Sequence, residues 1–302
     1  MGSFAFVTNV ASRSISVIDT AANAVVATPS VDAGPIRIAL TPDGRNAYVT
    51  MRGNNEGRVA VLDTTTHVVT ATFPLTDFFI AGIAITPSGE HAYVANSGND
   101  DVVKVLDTAT NTVAADIPLD LSIDIAISPD GKHAYVTNFD GVTVIDTATR
   151  IIEAAIPIGK GSTSTTGRGI AVTPDGKTAY LTNGGLNTVS VIDTQTNTET
   201  GTVSVGIDPV GLAVTPDGRR LYVTNHGAGS VSVIDTATNA VVGTVNVGAD
   251  PFGVAFTSDG VTAYVTNSGP SSNNVSVIDT ATNTVLTEIA VGTQPFAVAV
   301  AG

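Results

Sequence analysis

The 302-residue sequence predicts an all-β fold, a seven-bladed β-propeller with four antiparallel strands per blade. Three recurring motifs predict it. The triplet Ile/Leu-Asp-Thr places Asp at positions 19, 63, 107, 146, 193, 235 and 279, at intervals of 44, 44, 39, 47, 42 and 44 residues. Upstream of each stands YVTN or a close variant, beginning at Phe6, Tyr48, Tyr93, Tyr135, Tyr180, Tyr222 and Tyr264. TPDG or a variant precedes six of these, at 41–44, 86–89, 128–131, 173–176, 215–218 and 257–260.

The unit around 208–250 shows the elements in order. Residues 211–214 (GLAV) read as strand A. Thr215-Pro216-Asp217-Gly218 is a turn with Pro and Gly where a type I turn wants them. Residues 221–224 (LYVT) and 231–234 (VSVI) read as strands B and C. Residues 235–239 (DTATN) form a second turn whose short polar side chains bond their own backbone. Residues 241–245 (VVGTV) are strand D. The strands are β-branched, turns recur every 8–12 residues, and no stretch reads as a helix. The consecutive apolar residues of strand A predict a strand covered on both faces. Residues 294–300 read as a strand A with no turn after it, and 4–7 as a strand B with nothing before it. Together they complete one blade, so the two chain ends close the ring and remove the exposed edges at the seam. No linker or shift in composition divides the chain, which predicts one domain over residues 1–302, and a closed ring with few exposed edges predicts a monomer.

Composition narrows the function classes. Hydrophobic residues make up 43% and charged residues 13%, too apolar for disorder. No apolar run reaches the ~18 residues that span a bilayer as a helix. The absence of cysteine excludes disulfides, thiolate metal sites and cysteine nucleophiles. Thirteen Lys+Arg against 27 Asp+Glu give a net charge of −14, which argues against nucleic acid and anionic lipid as partners. A small anionic ligand in a local basic pocket stays open. The start Met1-Gly2-Ser3 carries no basic or apolar leader pattern. The expected location is cytoplasmic if the chain is complete as given, and extracellular or cell-surface if a leader was removed.

With these motifs the chain resembles the YVTN-repeat seven-bladed propellers over essentially its whole length. That family includes repeat domains of archaeal surface-layer proteins and, more distantly, propeller enzymes such as virginiamycin B lyase and phosphogluconolactonase-like proteins. The resemblance implies the fold. It leaves three functions open: a binding module, a lyase- or lactonase-like enzyme, and a cell-surface scaffold.

Whatever recurs in every blade is frame, and whatever occurs once on the functional face is a candidate. The seven Asp of Ile/Leu-Asp-Thr are therefore expected to cap turns, and the YVTN asparagines to cap the loop after strand B. The D–A and B–C loops share one face, called the top, where propeller ligands gather near the axis. His67, His91 and His133 fall at bottom turns, and His226 alone falls at the top. The first axial position of strand A reads Arg37, Gly82, Asp124, Gly169, Gly211, Gly253 and Ala297. A charge at a narrow mouth needs solvent, a partner or a ligand, which singles out Arg37 and Asp124. The preceding position singles out Arg168, which follows the long polar loop 159–167. The position after YVTN singles out Arg52, Phe139 and His226. Phe78 and Phe79 break the Pro-containing consensus of their loop, whereas Phe252 and Phe296 are assigned to packing between blades.

The expected site is thus an apolar-rimmed top-face pocket. Arg37, Arg52, Arg168, Phe78, Phe79 and Phe139 are its ligand-binding candidates, for a small anionic and aromatic molecule. Arginine forks suit carboxylate, phosphate or sulfate, and aromatic walls suit a planar ligand. Asp124 and His226 are the catalytic candidates, as the only obvious proton-transfer groups at the top. The plainer expectation is an Arg–Asp salt bridge that plugs the channel. There is no nucleophile elbow, phosphate loop or dinucleotide fingerprint. A single top-face histidine argues against a catalytic zinc. No cofactor is predicted, and Asp100, Asp101 and Asp140 are the top-face carboxylates suited to calcium or magnesium.

Overall fold

A computed structural model describes residues 3–53, 56–75, 80–96, 101–158, 169–270 and 272–302. They form seven four-stranded antiparallel sheets, the predicted seven-bladed propeller. Among the described residues there is no α-helix, only three-residue 3-10 turns at Gly184–Leu186 and His226–Ala228. Numbered along the chain, blade 2 begins at Gly34–Leu40, blade 3 at Ile80–Ile85, blade 4 at Ile125–Ile127, blade 5 at Ile170–Val172, blade 6 at Pro209–Val214 and blade 7 at Pro251–Phe256. Blade 1 is the composite one. Its strand A, Pro295–Ala301, pairs antiparallel with its strand B, Phe4–Asn9, in the register Phe4–Ala301 and Val7–Val298. The two chain ends close the ring as the sequence predicts.

A lone sheet cannot bury its own faces, so each blade buries its faces against its neighbours. One apolar cluster joins Tyr48 and Val59 of blade 2 to Ile83, Val94 and Leu106 of blade 3. Another joins Ala5 and Val7 of blade 1 to Tyr264 and Val277 of blade 7 across the seam. Burial peaks in strands B and C, as in Arg220–Asn225 and Ser230–Asp235. Strand A is covered less than its apolar run predicts. Most of Pro209–Val214 is half-buried, because one side of this strand borders the central channel rather than a second sheet.

Three letters of the YVTN motif, the tyrosine, threonine and asparagine, each have their own hydrogen-bonding role. The tyrosine hydroxyl crosses to the C–D turn of the next blade. Tyr48 bonds Asn111 Oδ1 at 2.7 Å and the Thr108 carbonyl at 3.0 Å. Tyr180 bonds Asn239 at 2.8 Å, and Tyr264 bonds Asn23 at 2.9 Å across the seam. The receiving asparagines have left-handed backbone, with φ of 57° at Asn111 and 52° at Asn239, a conformation asparagine tolerates well. In blade 1 the tyrosine is Phe6, which has no hydroxyl. The matching turn residue in blade 2 is His67, whose ring lies 6.3 Å from Phe6 and 5.0 Å edge-on from Phe4. Both partners of the polar pair have changed together.

The threonine binds two blades at the axis. Thr224 Oγ1 accepts the Gly211 N–H at 2.9 Å and donates to the Phe252 carbonyl of blade 7 at 2.7 Å. Thr50, Thr266 and Thr8 repeat the arrangement with Arg37 and Ala81, Gly253 and Phe296, and Ala297 and Ile36. In blade 3 the residue is Ala95, and the Gly82 N–H reaches the Ile123 carbonyl of blade 4 directly at 2.9 Å.

The asparagine corrects an expectation. It was expected to cap the loop after strand B, and Asn138 does accept the N–H groups of Asp140 and Gly141 at 3.0 Å. Elsewhere its amide turns sideways to strand C. Asn225 donates to Ser230 and Ser232, and Asn183 to Thr188 and Ser190. Where Met51 replaces it, the paired strand C residue is Arg58, Ala60 takes the second serine's position opposite Val49, and Met51 and Ala60 join an apolar cluster.

The motif aspartates cap turns as expected. Asp193 Oδ1 accepts the N–H groups of Gln195 and Thr196 and the Thr196 hydroxyl. Such bonds from the threonine three residues on hold Asp63, Asp107, Asp146, Asp193, Asp235 and Asp279 below the usual carboxylate range. Asp43, Asp130, Asp175, Asp217 and Asp259 of the A–B turns are lowered mainly by a Thr or Ser hydroxyl.

Two outcomes are expected. Thr224→Val deprives Gly211 N–H and the Phe252 carbonyl of their buried partner, so chemical denaturation should show a loss of about 1–3 kcal/mol. The turn carboxylates have lower pKa values folded than unfolded, so their stabilisation is complete above the unfolded value and is lost as pH falls through the folded ones. Calorimetry should therefore show the melting temperature dropping once the pH falls below about 4.

Candidate functional site

The glycines of strand A bring the seven inner strands close around the axis. A Cβ on Gly211 would overlap the Phe252 carbonyl, and one on Gly253 would come within 2.8 Å of the Phe296 carbonyl. The threonine hydroxyls tie the same backbone groups together. What is left is an axial hollow of about 160 Å3, lined by Gly169, Gly211, Gly253 and Ala297 and by aliphatic side chains such as Leu212 and Val254. Into it project two charged residues, Arg37 and Asp124, and the ring of Phe252.

Arg37 and Asp124 approach to 3.9 Å between Nη2 and Oδ2. This is an ion pair but too long for a hydrogen bond. Their side chains are 21% and 18% exposed. The Arg37 guanidinium lies over two aromatic faces, 4.9 Å from the centre of Phe252 and 5.2 Å from that of Phe296. These rings stack at 3.6 Å. A cation–π contact holds the cation without taking up an N–H donor.

The Asp124 carboxylate is placed differently. Its Oδ1 accepts the Ile125 N–H at 3.0 Å, and a Cβ on Gly82 would meet that oxygen at 2.5 Å. Only glycine at 82 leaves the carboxylate its place. Burial pushes the Asp124 carboxyl above its ordinary value; the Arg37 charge and the N–H groups of Ile125 and Ile170 oppose this without cancelling it.

The other candidates do not gather here. His226 lies outside the hollow's lining, edge-on to Phe252 at 6.4 Å, with its Nδ1 3.7 Å from Asp208 Oδ2. Arg52 lines a separate hollow with Arg13, Asp32, Glu56 and Arg58, where Arg58 pairs with both acids. The expected grouping of Arg52 with Arg37 therefore does not form. Arg52 ends its strand B on the rim, opposite Gly34 and Gly57, whereas Arg37 follows a register shift in strand A that faces it to the axis. Phe139 lines a third hollow on the rim with Leu121 and Ile152 and is 37% exposed. Arg168, Phe78, Phe79 and Asp100 lie outside the described residues. Among the described residues, Asp101, Asp140 and the remaining acids and histidines form no group of three that could hold a metal ion.

Two site residues escaped the sequence reading. Phe252 and Phe296 were assigned to packing, yet their stack is also the platform under Arg37. The available signal was their position immediately before the axial residue, in adjacent blades.

Comparison with known proteins places the chain among propellers. A family model described as YNCE-like beta-propeller matches residues 170–270. No curated protein matches the sequence. A functionally unknown protein from Desulfotomaculum acetoxidans DSM 771 is similar in structure, with a TM-score of 0.82, 20% identity and 98% of each chain covered. The periplasmic gluconolactonase PpgL of Pseudomonas aeruginosa superposes with a TM-score of 0.79 at 22% identity over 99% of each chain. Hydrazine synthase of Kuenenia stuttgartiensis gives 0.74 at 23% identity, covering 88% of this chain and 90% of that one. At these identities the likeness is one of fold.

Removing Arg37 leaves a buried carboxylate without its counter-charge. Arg37→Met should push the Asp124 carboxyl further up, as read by NMR titration of its side-chain carbon. It should also cost about 1–3 kcal/mol near neutral pH. Since a raised pKa makes ionisation destabilising, the cost should shrink as pH falls through the folded value and Asp124 becomes neutral.

Proposed function

We propose that this chain is a YVTN-repeat propeller, one domain over residues 1–302, that acts as a monomeric binding protein for a small anionic molecule. Its site is the top-face axial pocket. The observation that carries this reading is the state of Arg37. Its guanidinium is four-fifths buried, held over two phenylalanine rings, and among the described residues it makes no hydrogen bond with a protein group. Five fixed N–H donors in a narrow mouth are a receptor for a carboxylate or similar oxyanion. The hollow is small, so an aromatic part of the ligand would stand above it, near Phe252 and His226. The net charge of −14 supports a small molecule over nucleic acid or anionic membrane as the partner.

A second reading, a small-molecule lyase, isomerase or hydrolase in the same pocket, is favoured by one observation. The Asp124 carboxyl is raised by burial beside a cation that would polarise a bound oxyanion. The similarity in fold to a gluconolactonase makes lactone opening the first chemistry to assay. His226, outside the hollow's lining with its Nδ1 3.7 Å from Asp208 Oδ2, is the second proton-transfer group of this reading. Turnover lost in Asp124→Asn with binding retained would establish it.

Thermal shift with acetate, benzoate, phosphate and sulfate tests the binding reading. A ligand at 100 times its Kd stabilises by about 2.7 kcal/mol, which should raise the melting temperature by a few degrees. The shift should vanish in Arg37→Met. No shift with any anion, or one that survives Arg37→Met, would leave the surface-scaffold alternative.

A further inference from the structure

The pocket carries two opposite charges where an anion receptor needs one. Asp124 Oδ2 faces Arg37 at 3.9 Å, while Oδ1 is taken by the Ile125 N–H and the Ile170 N–H also reaches the carboxylate. A plain carboxylate on Arg37 would thus stand beside a second carboxylate, and like charges in a half-dry site repel. A ligand with an O–H on the carbon next to its carboxylate turns that repulsion into a hydrogen bond, since the hydroxyl donates to Oδ2.

We infer that the axial pocket selects small 2-hydroxycarboxylates, with Arg37 holding the carboxylate and Asp124 accepting the hydrogen bond of the neighbouring hydroxyl. This deepens the binding reading above and rests on it. Three features support the choice. Asp124 supplies the only side-chain acceptor among the described residues lining the hollow, and the rest of the lining is glycine, alanine, aliphatic or phenylalanine. One acceptor satisfies the single donor of a hydroxyl. It leaves N–H groups of an ammonium unsatisfied, and that ammonium would also face Arg37, so a 2-amino acid fits less well. The volume of about 160 Å3 corresponds to about five waters. A ligand of three carbons fits inside, and a longer one must extend through the top.

Gly82 fixes the geometry of this selection. The strand there has no Cβ because the Asp124 carboxylate occupies that space, so the acceptor is positioned by a neighbouring blade. The two selecting groups come from blades 2 and 4, on either side of the blade that carries Gly82.

Isothermal titration calorimetry of the full chain at neutral pH, with four three-carbon probes, tests the inference. The probes are propanoate, 2-hydroxypropanoate, 3-hydroxypropanoate and 2-aminopropanoate. The 2-hydroxy acid should bind at least about tenfold more tightly than the other three, since a site built around a hydroxyl discriminates against ligands lacking it. Asp124→Ala should erase the preference, and the affinity for propanoate should hold or rise as the repulsion goes. Asp124→Asn, which keeps the shape and an acceptor, should narrow the ratio by binding propanoate more tightly; it replaces Asp124→Ala if that variant fails to fold. Arg37→Met should weaken all four. Equal binding of propanoate and its 2-hydroxy derivative overturns this inference and leaves the carboxylate site standing. Tighter binding of the 2-amino acid overturns the hydroxyl assignment. No binding of any probe overturns both the selection and the site it rests on.

Discussion

The threonine hydroxyl at the third position of the repeat carries both the ring and the pocket. It is buried beside the axis, where each inner strand has one backbone N–H and its neighbour one carbonyl that no β-ladder reaches. In blade 6 a single oxygen answers both, accepting from Gly211 and donating to Phe252. A buried polar backbone group left without a partner costs more than an ordinary hydrogen bond returns, so this contact sets how closely adjacent blades approach. That spacing fixes the width of the channel, and the width decides which side chains fit at its mouth. Glycine is the default there because backbone from the next blade stands where a Cβ would go.

Departures from the repeat come in complementary sets. Phe6 loses the hydroxyl that tyrosine offers elsewhere, and His67 replaces the asparagine that would have received it. Met51 loses the amide, and Ala60, two residues beyond its paired Arg58, loses one hydroxyl that the amide reaches in other blades. Lys104 takes the strand C position that Ala60 holds in blade 2 and serine or threonine in the remaining blades and, although 4% exposed, pairs with Asp116 at 3.2 Å. In each case a polar group and its partner change together, although His67 Nε2 is left buried without a hydrogen-bond partner. Arg37 and Asp124 follow the same logic across the channel, with one difference. Their separation leaves room between them, so they compensate each other's charge without completing each other's hydrogen bonds.

The Arg37–Asp124 ion pair, the plainer expectation of the sequence, is present, with 3.9 Å between its charged atoms. A closer pair would satisfy the hydrogen bonds of both groups. Instead the guanidinium is held from its faces by Phe252 and Phe296, and the carboxylate from behind by Ile125 and the bare backbone of Gly82. Both are supported from the side away from each other, and the proposed anion site rests on that arrangement.

The sequence by itself determined the fold, the blade count and the closure of the ring, because these depend on periodicity and on turn chemistry that acts within a few residues. It also singled out Arg37 and Asp124, since a charge stands out where the other blades have glycine or alanine. The tertiary structure alone decided which candidates meet. Arg52, Phe139 and His226 are equivalent in sequence, each following its YVTN motif, but that position lies away from the axis, so they fall in separate places on the top face. Phe252 and Phe296 looked like packing because their second role exists only once an arginine some 215 residues away in sequence from Phe252 closes over them. Local pattern fixes which way a strand faces; only the closed ring fixes what it faces.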